Sequence, residues 1–265
     1  MGVGAVLTGA VQGGAGADTL VGATLSNTWN LTGTGSGLLN GRAFVDIENL
    51  TGSSAPDWFE IETAGSITGN LNGGAGNDNT LSYANCLTGV NVNLASGSAS
   101  QIGLAVTNLA IVVGGNGDDT LIGNATRSSI LIGNAGIDTL MGGGARDILV
   151  GGMGADRLNG GGGDDILIAG GTIYDSNADA LLAILAEWNS SRAYATRVGN
   201  IKGTINVGPR LNGNYILAGS ALLPDPFAVD LLAGDLGRDW FLAGNEDAIA
   251  DLVSTGGTSE IVDRV

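Results

Sequence analysis

The chain has 265 residues, 48 of them glycine, and carries 26 acidic against 10 basic side chains for a formal net charge of −16. With one lysine and no basic patch to neutralise phosphates it is a poor nucleic-acid binder, and with no histidine it lacks the commonest general base. Its single cysteine, Cys86, rules out an intrachain disulfide, and no stretch approaches the ~20 unbroken apolar residues of a membrane span.

Along the chain, residues 1–10 are apolar but lack a basic start and a long apolar core, so no signal peptide is expected there. Residues 13–21 (GGAGADTLV) introduce a phrase, Gly-Gly-x-Gly-x-Asp-x-apolar-x. From about 23 to 72 the phrase lapses into short alternating runs such as 27–33 and 44–52, which predict short strands. The phrase returns, with one extra residue, at 73–81 (GGAGNDNTL), which puts Asp78 in its aspartate position. The run 106–114 resembles 44–52, with the Asn49-Leu50 pair echoed by Asn108-Leu109, and predicts a larger coil repeated ahead of a glycine turn.

From Gly114 the phrase becomes dense. It reads GGNGDDTLI at 114–122 and then, after a longer row at 123–132, GNAGIDTLM, GGGARDILV, GGMGADRLN and GGGGDDILI back to back over 133–168. After Ile168 the character changes. Ser176 with Asp179 resembles a capping box ahead of a helix over 178–188, with Leu181, Leu182, Leu185 and Trp188 on one face. A second short helix is expected from about Arg192 to Val198, capped by Ser190 or Ser191. Strands are expected to resume at 211–217, and 233–242 reads as a degenerate repeat with Asp239 in the aspartate position, serving as a capping coil closed by Trp240 and Phe241.

Glycine adopts positive φ without a Cβ penalty, so each Gly-Gly-x-Gly run predicts a tight turn, and the Asp-x-apolar-x that follows predicts one short strand. Two phrases make a coil, so aspartates 18 residues apart share an edge: Asp119, Asp138 and Asp156 on one, Asp147 and Asp165 on the other. The step from Asp119 to Asp138 is 19 because the intervening row is longer. Leu121, Leu140, Leu149, Leu158 and Leu167 should form the interior ladder.

Stacked carboxylates repel unless a cation lies between them. Calcium accepts six to eight oxygens from carboxylates and carbonyls, whereas zinc would want histidines and cysteines, and this chain has no histidine and only Cys86. Expected ligands are Asp119, Asp138, Asp147, Asp156 and Asp165, with main-chain oxygens of Gly114, Asn116, Gly133, Ala135, Gly142, Gly144, Gly151, Met153, Gly160 and Gly162, and the outlying Asp18 and Asp78.

The phrase resembles the calcium-binding nonapeptide of the RTX (repeats-in-toxin) family. The resemblance implies an all-β fold, a right-handed parallel β-roll or β-solenoid, here with a small helical insertion near 177–199. Three regions are expected: irregular coils over 1–113, a regular calcium roll over 114–171, and the insertion with a β capping region over 172–265. It further implies a secreted, extracellular or cell-surface protein holding several Ca2+ ions, and export in one step through a C-terminal signal. The chain lacks a Gly-x-Ser-x-Gly elbow and a Walker loop, and the pairs Asp118-Asp119 and Asp164-Asp165 fall in repeat positions that favour ligation over acid-base work, so no enzyme is expected. The function expected is a structural or adhesive module. Partners raised by this reading are calcium, further copies of the chain in a fibre or lattice, and surface glycans at Trp29 and Trp58. The alternative is the folding and export module of a secreted enzyme such as a lipase, protease or polysaccharide-modifying enzyme.

Overall fold

The computed structural model describes residues 9–76, 78–205, 208–252 and 259–265. Most of the apolar opening 1–10, where no signal peptide was expected, lies outside them, as does Asn77 of the phrase at 73–81. The chain winds between two β faces, giving the expected all-β roll. One face is a twelve-stranded sheet, mostly parallel, that takes in Trp58–Ile61, Thr80–Ser82, Ile111–Val113, Ile130–Ala135, Ile148–Met153, Ile166–Ile168, Trp240–Ala243 and Ile261–Arg264 in spatial order. The other combines a four-stranded sheet of the N-terminal coils with a seven-stranded sheet that includes Thr120–Ile122, Thr139–Gly143, Arg157–Gly161, Leu231–Ala233 and Ala248–Ile249. At the N-terminal end Thr28–Gly33, Ser36–Leu39 and Arg42–Val45 form an antiparallel meander, an exception to parallel winding.

The middle residue of each three-residue row points inward. Leu121, Leu131, Leu140, Leu149, Leu158 and Leu167 are at most 1 % exposed and stack in register, with Leu232 and Phe241 continuing the same core. Identical residues stacked in register fill space at each step, so every added coil buries another leucine against the last.

The rows differ in what they point outward, and that difference places the insertion. Rows of the seven-stranded face read Thr-Leu-Ile, Thr-Leu-Met and Arg-Leu-Asn, and Met141 is 45 % exposed. Rows of the opposite face are apolar throughout, and their outer residues Ile130, Ile132, Ile148, Val150, Ile166 and Ile168 are buried. What covers them is the helical insertion: α1 (Ala178–Trp188) and α2 (Tyr194–Ile201) set Leu181, Ile184, Leu185, Trp188, Tyr194, Val198 and Ile201 against that face. The helices are joined by buried Glu187, which accepts from Arg192, Asn200 and the Leu211 amide at 2.7–2.8 Å.

Several expectations are corrected. The cap of α1 is Asn177, whose side chain accepts from the Ala180 amide, rather than Ser176. The second helix starts at Tyr194 after Ala193, without a side-chain cap, rather than near Arg192 under Ser190 or Ser191. Residues 211–217 form turns and irregular chain, because Asn212 Nδ2 donates to the Tyr215 carbonyl at 2.6 Å and holds a turn there. The coil at 233–242 is not terminal, since Ile261–Arg264 pairs beyond it. The proposed larger repeat is not structural: Asn49 lies in a strand, whereas Asn108 takes φ +57 in a turn.

Candidate metal centre

The residue just before each strand occupies the aspartate position of the phrase and reaches across to the next coil. On one edge the Val90 amide donates to Asp119 Oδ1, Asp119 to Asp138, Asp138 to Asp156, Asp156 to Asp230 and Asp230 to Asp247, at 2.7–2.9 Å. On the other edge Ser129 donates to Asp147 Oδ1, Asp147 to Asp165 and Asp165 to Asp239, at 2.6–2.7 Å. One oxygen of each carboxylate therefore fixes coil-to-coil register. The two expected stacks are present in space, and each continues past the insertion through Asp230, Asp239 and Asp247.

The second oxygen is different. Oδ2 of Asp138, Asp147, Asp156, Asp165, Asp230 and Asp239 is buried without a hydrogen-bond partner, as is that of Asp18. Except at Asp230, whose turn has no glycine, it lies against the first glycine of its own turn. A methyl group at Gly133 would strike both Asp138 Oδ2 and the Gly151 carbonyl; at Gly142 it would strike Asp147 Oδ2 and the Gly160 carbonyl; at Gly151, Asp156 Oδ2 and the Ala169 carbonyl. The first glycine is thus required by close approach, and the space it leaves is bordered by a carboxylate oxygen and a carbonyl oxygen of the next coil. Both are acceptors, so they need a proton or a cation between them.

Two neutral coils show the same contact satisfied. Asn79 stands in the aspartate position, and its Nδ2 donates to the Gly76 and Asn108 carbonyls, each at 2.8 Å. Asn27 Nδ2 donates to the Ala23 and Leu25 carbonyls of its own turn at 3.0 and 2.8 Å and to Asp57 Oδ1 of the next coil at 2.7 Å. The amide group stands where an ion would be needed if the residue were aspartate, which shows that turn carbonyls converge on this atom.

Burial raises the proton affinity of the aspartates, reinforced by neighbouring carboxylates in most of them. The pKa is pushed to about 6 at Asp138, about 8 at Asp147 and Asp156, about 9 at Asp165 and about 7 at Asp230 and Asp239. Amides donated to these carboxylates offset only part of the desolvation. Among the described residues no three acidic, histidine or cysteine side chains converge. The donor set is therefore carboxylate plus main-chain oxygen, which fits calcium and does not fit zinc.

The expected ligands do not all share this environment. Asp119 is satisfied on both oxygens, with Oδ2 accepting from the Gly115 amide at 2.7 Å, and its pKa is raised mainly by burial. Asp78 is exposed, and Asn79 takes its place because the extra residue in that turn shifts the frame by one. The Gly114 carbonyl accepts from Asn134 Nδ2 at 2.7 Å and the Met153 carbonyl from the Gly136 amide at 2.9 Å, each leaving one lone pair. Gly144, Gly160 and Gly162 lie in the turns of the second edge, and Asn116 and Ala135 in those of the first. Positive φ at the second and fourth turn positions recurs at Gly14 and Gly16, Asn134 and Gly136, Gly152 and Gly154, Gly161 and Gly163, and Asp235 and Gly237. Asn and Asp tolerate this left-handed region, which lets them replace glycine there.

Asp239 stands outside the expected ligand set, in a phrase that Leu236 and Arg238 interrupt. Both point away: Leu236 is 76 % exposed, and the Arg238 guanidinium sits 4.3 Å from the Tyr194 ring centroid and donates to the Ser259 carbonyl. Asp230 was missed, although Asp230-Leu231-Leu232 and Asp239-Trp240-Phe241 repeat the Asp-x-apolar unit nine residues apart. The tryptophans raised as glycan contacts lie elsewhere: Trp29 is fully buried and stacked on Phe59, and half-buried Trp58 packs with the insertion cluster.

The profile of the RTX calcium-binding nonapeptide repeat (four copies) matches residues 11–27, 111–127 and 132–170. A comparison with characterised proteins gives no match. No described helix is long and apolar enough to cross a membrane. The chain thus carries RTX calcium-binding nonapeptide repeats, built into a longer β-roll of parallel two-faced winding with stacked aspartates.

Proposed function

We propose that the chain is a non-catalytic structural module of a secreted protein, folded and stiffened by extracellular calcium and displayed at a cell surface or in a matrix. The observation that carries this reading is the set of buried Oδ2 atoms without partners in successive coils, those of Asp138, Asp147 and Asp156 each beside a carbonyl of the next coil. Asp138, Asp147, Asp156 and Asp165 would hold the ions together with carbonyls of their turns. When bound, calcium supplies the positive charge that lets opposed acceptors pack. The residues themselves set the register, since Oδ1 of each aspartate already grips the next amide. With a net charge of −16, self-repulsion opposes the compact state until cations bind, so folding and ion binding are one equilibrium. A protein built this way stays soft where calcium is scarce and sets where it is plentiful, which suits export before folding.

Self-association is supported by the end of the larger sheet. Ile261–Arg264 is its last strand among the described residues, and a sheet edge is a template for another strand. Far-UV circular dichroism with parallel sedimentation velocity, from chelator to about ten times millimolar calcium, tests both statements. A cooperative gain of β signal is expected, with a rise in sedimentation if ends associate. A β spectrum complete in chelator and unmoved by calcium refutes the reading, and a monomer at every calcium level refutes assembly.

A further inference from the structure

We propose that the turns 160–165 and 234–239 hold a calcium ion between them, and that this ion locks the helical insertion onto the roll. The inference rests on the calcium reading above and carries it beyond the last repeat matched by the family profile, which ends at residue 170. Asp165 and Asp239 are 74 residues apart in sequence, yet they are consecutive on one edge, with Ile166–Ile168 and Trp240–Ala243 paired in register.

The two turns stack as adjacent repeats do. The Gly163 amide donates to the Leu236 carbonyl and the Leu236 amide to the Gly161 carbonyl, both at 2.8 Å, and the Arg238 amide donates to Asp164 Oδ1 at 3.0 Å. Gly161, Gly163, Asp235 and Gly237 have φ of +91, +115, +63 and +149, repeating the left-handed pattern at the second and fourth positions. Asp165 and Asp239 are fully buried, Oδ2 of each has no N–H donor, and the Glu260 carboxyl lies close enough to Asp239 to raise its proton affinity further. A methyl at Gly160 would strike Asp165 Oδ2, and one at Gly234 would strike Asp239 Oδ2, so both cradles are kept open by glycine. On the other edge the step from Asp156 to Asp230 has no such turn. Residues 226–229 contain no glycine, and Asp225 closes that side by accepting from the Gly154 amide at 2.7 Å.

The helices are fastened to these same two turns. Trp188 Nε1 donates to the Asp164 carbonyl at 2.5 Å, and the Tyr194 hydroxyl donates to the Asp239 carbonyl at 2.6 Å. Arg197 pairs with Asp164, and Trp188 lies 6.1 Å from Trp240 across the junction. α1 grips the first turn through Trp188, and α2 grips both, through Arg197 on Asp164 and Tyr194 on Asp239. Closing a long loop costs entropy that local contacts must offset, so an ion bridging the turns acts where the return from the insertion is made. Without it the turns separate and both helical anchors part with them.

Hydrogen exchange on the whole chain with and without calcium tests this, together with equilibrium dialysis of the parent and Asp239→Asn. The variant keeps the Oδ1 that accepts the Asp165 amide. In the parent, amides of Trp240–Ala243 and of both helices should slow by about a hundredfold at free calcium 100 times Kd. Asp239→Asn should bind one ion fewer and lose that slowing, while Ile130–Ala135 and Ile148–Met153 keep theirs. Calcium that protects Ile148–Met153 but leaves Trp240–Ala243 and the helices unchanged in the parent overturns the inference and spares the calcium reading, even if the variant does not fold. So does a variant with unaltered stoichiometry and protection. Absence of calcium-dependent protection anywhere overturns both.

Discussion

Replacing Asp147 by asparagine separates what its two oxygens do. Asp147 is fully buried, Oδ1 accepts the Ser129 amide at 2.6 Å, and Oδ2 has no partner. Burial lifts its pKa from 3.8 to about 8, so keeping the carboxyl in the calcium-free fold at pH 7 costs about 4 kcal/mol, at 1.36 kcal/mol per pH unit. Asparagine retains the acceptor, and its Nδ2 can bond the Gly160 carbonyl as Asn79 Nδ2 bonds that of Asn108. In chelator Asp147→Asn should therefore be more stable than the parent by about 2–4 kcal/mol. In calcium the parent gains RT ln(1 + [Ca]/Kd) from an ion the variant lacks, about 2.7 kcal/mol at 100 times Kd and 4.1 at 1,000 times. The advantage should shrink with added calcium and vanish in that range. The assay is urea unfolding followed by circular dichroism at several free calcium concentrations. A variant already destabilised in chelator, or two stability curves rising in parallel with calcium, would refute the reasoning.

Calcium-free stability should fall as pH rises from about 4 towards 9. Each raised carboxyl favours the fold below its unfolded value of 3.8, and that contribution is lost as pH passes through values of about 6 to 9; a melting temperature that climbs from pH 5 to 8 in metal-free buffer contradicts this. The coils over 27–82 should fold without calcium, because Asn27, Asn79 and the doubly bonded Asp57 satisfy their own positions. Hydrogen exchange in chelator should then show Trp58–Ile61 and Thr80–Ser82 protected and Ile148–Met153 open, and equal protection of both would count against it. In calcium, Leu149→Ala should cost ~2–5 kcal/mol in urea unfolding, whereas Met153→Ala, 68 % exposed, should stay within ~0.5 kcal/mol. Equal losses would mean that the leucine ladder is not the core.

Much of the roll is local in origin, and so it was legible. A strict phrase carries its own turn, strand and slot, and coils of equal length bring aspartates 18 residues apart onto one edge without any long-range information. Asp138, Asp147, Asp156 and Asp165, and the leucines two residues after each, follow from that arithmetic. Legibility failed where length varied or the letters changed. One extra residue moved the slot from Asp78 to Asn79, and a 74-residue excursion hid the continuation of both ladders into Asp230 and Asp239. The covered face could have been read from the alternation of Ile-Leu-Val rows with Thr-Leu-Met rows, but only if each row had been assigned to its face.

By itself the sequence determined the winding, the interior ladder and the class of ion, because glycine, aspartate and leucine at fixed spacing leave one compact way to satisfy turn, charge and core. Tertiary structure decided which carboxylate oxygens are left unpartnered. Asp119 and Asp138 share a phrase, yet the first has both oxygens bonded and the second has one bare, since that depends on how a neighbouring coil's amide and carbonyl approach. It also decided where α1 and α2 lie. Their apolar faces could have served any surface, and the isoleucines of one sheet face were the surface the return from the insertion brought within reach.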